Sequence, residues 1–199
     1  MQRIVLQESS LTPNFIGSWF IEPLSVCDEL INYFETHKND QNIGLTSSGL
    51  NLEVKDRLDI SMAPKNFNLP GNEVFNNYIN SLFECYKDYT IQWPYLQEIG
   101  EKIEIGEFNL GRYSPGQHFQ GMHAERISVD TLHRMFAWMT YLNDVEEGGE
   151  TFFSNYDLKI KPKKGLTIIW PAEWTHAHKG NILLNGSKYM ITGWMDLSA

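Results

Sequence analysis

The chain has 199 residues, of which 42% are hydrophobic and 13% aromatic, and its 25 acidic and 16 basic residues give a net charge of −9. A chain of this length fits one domain with a sizeable core. Phosphate backbones and anionic membrane surfaces are bound through clustered Lys and Arg. The charge balance therefore argues against nucleic acid as a general partner and against a polybasic membrane-binding segment.

The N-terminal residues show no apolar run typical of a signal peptide, and no stretch approaches the eighteen or so consecutive apolar residues of a membrane span. Cys27 and Cys85 are too few for a disulfide framework, and we expect both to be buried free thiols in helices. These observations predict a soluble, cytoplasmic protein without membrane association.

The first half of the chain is predicted to be helical. In residues 23–38 apolar side chains recur at 3.6-residue spacing, with Ser25 available as an N-cap. A second and broader apolar stripe runs through residues 72–89. The polar residues 39–72 are predicted to be mainly loop, with one short strand over 57–62.

From Lys102 onward the pattern indicates strands. A strand that starts at Ile103 shifts its alternation after Gly106, which indicates a bulge or bend. Residues 135–143 form a buried-looking run that ends in a Gly-rich turn over 146–149, from which the chain is expected to return as a neighbouring strand.

The C-terminal segment repeats this pattern. Residues 166–170 are apolar and predict another buried strand. Asn185 and Gly186, flanked by two strand-like runs, are a strong hairpin signal. Helices followed by many short strands indicate an α+β, mainly β, domain: residues 1–100 provide helical support and residues 101–199 form a β-sandwich or barrel core.

Candidate metal ligands follow from this pattern. His123 and Glu125 point to the same side of an extended segment. Two histidines and one carboxylate on one face of a metal are typical of mononuclear iron(II) oxygenases, which leave the other positions open. The third ligand has to come from a distant segment, where His176 and His178 are both candidates.

A lysine on the last strand supports a binding cavity. Lys188 follows His178 by ten residues and shares a strand face with Met190, Thr192 and Trp194. An inward-facing lysine needs a charged partner, which a bound dicarboxylate would supply. Alternatively, Lys188 caps the hairpin and reaches into solvent.

These residues resemble the prolyl 4-hydroxylase-like branch of the iron(II)- and 2-oxoglutarate-dependent dioxygenases over about residues 103–196. The motifs occur in the family's order: Tyr113 and Gly116 before His123-Ala124-Glu125, then Tyr141-Leu142-Asn143, Gly148-Gly149-Glu150-Thr151-Phe152, Pro162-Lys163-Lys164-Gly165, and His178 with Lys188 and Tyr189. The family's usual acidic ligand is aspartate, so Glu125 is a departure.

The resemblance implies a double-stranded β-helix, or jelly roll. It implies hydroxylation of a C–H bond, for which a prolyl residue of a peptide or protein is the favoured substrate. Iron(II), 2-oxoglutarate and O2 are the implied cofactors, with ascorbate as a reductant. The implied roles are metal ligation by His123, Glu125 and His178, and contact with 2-oxoglutarate by Lys188, Tyr141, Tyr113 and Thr192.

Other assignments are weaker implications of the same pattern. The interval to Lys188 favours His178 over His176, which would then lie behind the ligands or at the pocket mouth. Trp194 is expected to pack beneath the site. Residues 39–72 and 126–133 are candidate lids over the substrate.

Several functions stay open at this stage. Because Glu125 replaces aspartate, the alternative is a non-catalytic metal-binding jelly roll that recognises a small acid or sugar. Within the enzyme hypothesis, a free amino acid or other small molecule is the alternative to a peptide. A purely structural interaction domain would have to explain an inward-facing Lys188.

Overall fold

The computed structural model describes residues 1–4, 14–46, 49–67, 69–99 and 103–198. Its helices are α1 (Ser25–Thr36), α2 (Glu73–Gln92) and α3 (Tyr95–Ile99). The two long helices form where the apolar periodicity predicts them, and each buries a free cysteine. The predicted N-cap is wrong, because α1 begins at Ser25 itself and the residue before it makes no capping side-chain bond.

The strands form two antiparallel sheets. The twelve strands of the described residues are β1 (Gln2–Arg3), β2 (Gly17–Phe20), β3 (Asn42–Ile43), β4 (Leu58–Met62), β5 (Ile103–Tyr113), β6 (Phe119–His123), β7 (Arg134–Tyr141), β8 (Thr151–Phe153), β9 (Leu158–Ile160), β10 (Leu166–Pro171), β11 (His178–Gly180) and β12 (Lys188–Leu197). The larger sheet has the order β1-β2-β10-β7-β12-β5-β4-β3, and the smaller has the order β6-β11-β8-β9.

Two predicted returns of the chain are wrong. β11 pairs with β6 and β8, whereas β12 pairs with β5 and β7, so the turn at Gly186 connects the two sheets instead of closing a hairpin. The turn through Gly148 and Gly149 likewise leads from β7 in the larger sheet to β8 in the smaller one. The glycines do adopt positive φ, so the turn chemistry is present while the pairing differs.

The predicted bulge is confirmed in β5. Gly193 pairs with Phe108 and Met195 pairs with Ile105, so Trp194 alone lies opposite two residues of β5, one of them Gly106. The extra residue therefore lies in β5.

The core has two layers. One buried cluster, with Trp19, Phe108 and Trp138 among its members, packs α1 and α2 against the larger sheet. A second cluster, with Tyr141 and Trp170, fills the space between the two sheets. Two facing antiparallel sheets with crossing connections and supporting helices confirm the predicted jelly roll. Within the described residues, no helix is sufficiently long and apolar to cross a membrane.

Candidate metal centre

Three potential ligands converge at one end of the space between the sheets. His123 ends β6, His178 begins β11 and pairs with it in register, and Glu125 follows β6 by two residues. Nε2 of each histidine lies 3.5 Å from Glu125 Oε1, and all three ligand atoms lie within 4.8 Å of one another. The two nitrogens and one oxygen share a single small volume, as a facial iron(II) site requires.

Backbone carbonyls orient both imidazoles. Nδ1 of His123 lies 2.8 Å from the Gly121 carbonyl oxygen, and Nδ1 of His178 lies 2.9 Å from that of His176. A carbonyl can only accept, so each Nδ1 carries the proton and each Nε2 presents a lone pair to the centre. The residues present therefore fit a divalent metal.

Burial and local charges set two of the potential ligands, His178 and Glu125, in the protonation states that metal binding requires. Burial and then the charge of His123 lower the pKa of His178, Glu125 opposes the shift, and the resulting pKa is about 4. For Glu125, burial raises the pKa, but hydrogen bonding and charge from His123, the charge of His178 and a bond from Trp194 outweigh it and bring the pKa to about 2. At neutral pH His178 is thus neutral and Glu125 is a carboxylate.

Trp194 does more than pack beneath the site. Its indole Nε1 donates to Glu125 Oε2 at 2.7 Å, which leaves Oε1 facing the histidines. The guanidinium of Arg134 stacks 3.6 Å from the Trp194 ring centre and donates to the Glu125 backbone carbonyl at 3.2 Å. Trp194 and Arg134 therefore hold both ends of the residue that replaces the expected aspartate.

The ligands open into a cavity of about 640 Å³ whose lining includes His123, Glu125, His178 and Lys188. Lys188 is 2% exposed, and its Nζ donates to the Gly149 carbonyl at 2.7 Å. Burial and the charge of Arg57 lower its pKa to about 7. The alternative that Lys188 reaches into solvent is wrong, and the amine faces the cavity as strand alternation predicts.

Comparisons with known proteins agree with this geometry. The family model described as 2OG-Fe(II) oxygenase superfamily matches residues 108–196. The chain is 31% identical over 114 residues to "Probable prolyl 4-hydroxylase 9" of Arabidopsis thaliana, and this match covers 44% of this chain and 40% of that protein. It is 24% identical over 107 residues to human "Prolyl 4-hydroxylase subunit alpha-1", covering 48% and 20%.

Residues 108–196 of the chain therefore match the 2OG-Fe(II) oxygenase superfamily. Its relatives lie in the prolyl 4-hydroxylase-like branch, and the chain spans less than half the length of these two curated relatives. A Pseudomonas putida prolyl-4-hydroxylase shares the fold with a TM-score of 0.72 at 15% identity, covering 95% of this chain and 96% of that chain. A viral collagen prolyl hydroxylase from Paramecium Bursaria Chlorella virus-1 has a TM-score of 0.66 at 21% identity, covering 93% and 97%.

The three other residues predicted to contact 2-oxoglutarate occupy different positions in this fold. Tyr113 and Thr192 line the cavity, although the Thr192 hydroxyl already donates to the Trp138 carbonyl at 2.8 Å. Tyr141 lies outside the cavity lining of the described residues, and its hydroxyl donates to Thr151 at 2.6 Å. Direct contact of these residues with 2-oxoglutarate stays a prediction.

His176 lies away from the ligand cluster. It ends the 3-10 turn Trp174–His176, so the strand alternation that would align it with His178 does not apply. Its side chain is buried against Tyr156, with Nε2 2.8 Å from the Asn14 carbonyl oxygen. Of the two positions expected for His176, the one at the pocket mouth is wrong, because the side chain is buried.

Sequence reasoning missed two charged residues that line the cavity and the buried carboxylate that pairs with them. Lys55 and Arg57 line the cavity, and Asp59 on β4 forms ion pairs with both. They lie in a segment that was interpreted as polar loop with a short strand. The available signal was their i, i+2 spacing, which places the three side chains on one face of an extended chain.

Both candidate lids border the cavity. Leu45, Thr46 and Asn51 contribute from the first segment, and Ile127 and Ser128 contribute from the second. Exposed apolar side chains occur in both segments, including Leu45 and Ile127. Closure over a substrate stays a prediction.

Proposed function

We propose that this chain is an iron(II)- and 2-oxoglutarate-dependent dioxygenase that hydroxylates a prolyl residue of a peptide or protein. The observation that carries the proposal is the convergence of His123, Glu125 and His178 in a cavity that also contains the buried amine of Lys188. Prolyl hydroxylase relatives support the substrate class, and one solved structure of similar fold, from Trichoplax adhaerens, is a prolyl hydroxylase in complex with a peptide.

The two imidazole nitrogens and Glu125 Oε1 would hold the iron through one face. Iron(II) together with 2-oxoglutarate and O2 supplies the oxidising power for C–H hydroxylation, with succinate and CO2 as coproducts. Ascorbate is proposed as the reductant that keeps the iron in the divalent state. The polypeptide supplies binding, orientation and exclusion of water.

Lys188 would bind the far carboxylate of 2-oxoglutarate. Its Nζ lies 4.6 Å from the centre of the Tyr113 ring and 5.6 Å from that of Tyr141, so aromatic surfaces enclose it. A charge-assisted hydrogen bond in such a site is stronger than one between neutral groups. Replacing this amine therefore should weaken binding of the cosubstrate more than that of the metal.

Buried aromatic rings would keep water from His178. Phe153 and Trp170 pack with their ring centres 5.3 and 5.1 Å from that of His178, and both are at most 2% exposed. Substrate would then approach from the side where the two candidate lids border the cavity. A site built in this way places the reacting C–H bond next to the metal and shields it from solvent.

The proposal is tested by succinate formation from 2-oxoglutarate under air, with iron(II), ascorbate and a panel of proline-containing peptides. We expect peptide-dependent succinate and a peptide mass gain of one oxygen atom, both abolished in His178→Ala. Absence of succinate with every peptide, or unchanged succinate in His178→Ala, would refute the proposal. Tight zinc binding without any dependence on 2-oxoglutarate would favour the alternative, a non-catalytic metal-binding jelly roll.

A further inference from the structure

A buried cluster of three charged residues, two of which line the cavity, lies outside the matched family region. Lys55 Nζ lies 3.0 Å from Asp59 Oδ2, and Arg57 Nε lies 2.7 Å from Asp59 Oδ1. The exposed fraction of these side chains is at most 8%. Two cations thus share one carboxylate, and a buried charge without a full partner is costly.

This cluster extends along the wall between the metal ligands and Lys188. Lys55 Nζ lies 5.6 Å from the ring centre of Phe119, whose ring stacks on that of His123 at 4.1 Å. Arg57 Nη1 donates to the Tyr113 hydroxyl at 3.0 Å, and Tyr113 is the ring over which the Lys188 amine lies. An anion bound by Lys55 and Arg57 would therefore sit beside the reaction centre.

The charges of the proposed complex leave this cluster unbalanced. Divalent iron and Lys188 together offset Glu125 and the two carboxylates of 2-oxoglutarate. Arg134 and Asp130 also line the cavity, and their opposite charges offset each other. Burial lowers the pKa of Lys55 and Arg57 lowers it further, with Asp59 opposing, as expected for a cation whose partner is shared.

We infer that Lys55 and Arg57 form a second anion-binding subsite, which takes a carboxylate of the primary substrate close to the residue that is hydroxylated. The inference rests on the proposed function and adds a substrate class, namely substrates with a free carboxyl group or an acidic side chain next to the reacting residue. Guanidinium and ammonium groups are both suited to a carboxylate. Lys188 is the separate partner of the cosubstrate.

The test measures binding to the protein loaded with Mn(II) and 2-oxoglutarate, by isothermal titration calorimetry. The probes are three matched pairs that differ by one charge: N-acetylproline and N-acetylprolinamide, acetyl-Pro-Asp-amide and acetyl-Pro-Asn-amide, and acetyl-Asp-Pro-amide and acetyl-Asn-Pro-amide. We expect the acid of at least one pair to bind ten or more times tighter than its neutral partner. Equal binding within twofold in all three pairs, or no binding of any probe, would overturn the inference.

Variants assign the effect to the cluster. Lys55→Met leaves Asp59 paired with Arg57 and should remove the preference for the acid, whereas Lys55→Arg should restore it. Lys65→Met, which removes an exposed lysine on a separate turn, should bind like the wild type. If Lys55→Met and Lys55→Arg both retain the full preference, the inference is wrong.

The same experiment separates this inference from the proposed function. If Lys55→Met weakens 2-oxoglutarate as strongly as Lys188→Met does and leaves the acid preference unchanged, the anion belongs to the cosubstrate and the inference is overturned. If the wild type fails to bind 2-oxoglutarate in the presence of Mn(II), the proposed function itself fails.

Discussion

Replacement of Trp194 by phenylalanine is predicted to weaken metal binding by roughly 10- to 100-fold, the range typical for residues that orient a metal ligand. The indole donates to Glu125 Oε2 at 2.7 Å, while Oε1 lies 3.5 Å from Nε2 of each histidine. Phenylalanine retains a ring beneath Arg134 but lacks the donor. A hydrogen bond to a charged group contributes about 1.5–3 kcal/mol, and each 1.4 kcal/mol corresponds to about tenfold in affinity.

The glutamate makes this bond important. Compared with aspartate, its extra methylene adds a rotatable bond, which Trp194 restrains by holding one carboxylate oxygen. Glu125→Asp moves the carboxylate away from the indole, so the two single changes remove the same contact. Their effects on metal affinity should therefore be non-additive, with the double variant binding about as weakly as Glu125→Asp alone.

The assay is a titration of the metal-free protein with Co(II), followed by visible absorption. Trp174→Phe is the matched control, because Trp174 is 71% exposed and lies outside the cavity lining of the described residues. It should bind Co(II) like the wild type. A Co(II) affinity of Trp194→Phe within twofold of the wild-type value would refute the reasoning. Fully additive effects in the double variant would also refute it.

The remaining predictions concern the ligands and the buried lysine. His178→Ala removes one of three ligands and should weaken Co(II) binding by roughly more than 100-fold. His176→Ala removes a buried polar contact, so it should bind Co(II) normally but lower the Tm by roughly several degrees. Equal loss of metal binding in both variants would contradict this prediction. Because burial and Arg57 lower the pKa of Lys188 to about 7, affinity for 2-oxoglutarate, measured by calorimetry, should fall about tenfold per pH unit above that value. Lys188→Arg should remove this slope, and a slope that persists would disprove the cause. Burial raises the pKa of Glu125, but the hydrogen bond and charge of His123 outweigh it and lower the pKa from 4.5 to about 2. The metal-free protein should therefore lose stability as the pH falls through this window. In urea unfolding Glu125→Gln should lack this part of the acid sensitivity, and an unchanged profile would count against the assigned shift.

Local periodicity predicted the helices and the bulge, because both are determined by residues close in sequence. The 3.6-residue pattern identified α1 and α2, and the phase change at Gly106 identified the extra residue in β5. Pairing across the Gly186 turn was wrong, because the turn residues fix only the local backbone. Which sheet receives each flanking strand is decided by packing between distant segments.

The candidate site likewise combines features that local sequence predicts with contacts between distant segments. The convergence of His123, Glu125 and His178 was predicted from strand alternation and the family resemblance, and their role as metal ligands stays a prediction. The bond from Trp194 to Glu125 spans 69 residues, and the bond from Arg57 to Tyr113 spans 56. No local pattern marks such pairs, because they come together only when the two sheets pack.

The most direct test of the metal centre is a crystal structure obtained after anaerobic soaking with iron(II) and 2-oxoglutarate, with the metal located by anomalous scattering. The account predicts iron bound by Nε2 of His123 and His178 and by Oε1 of Glu125, and a cosubstrate carboxylate on the Lys188 amine. Iron bound by His176 or at another place, or 2-oxoglutarate bound away from Lys188, would contradict it.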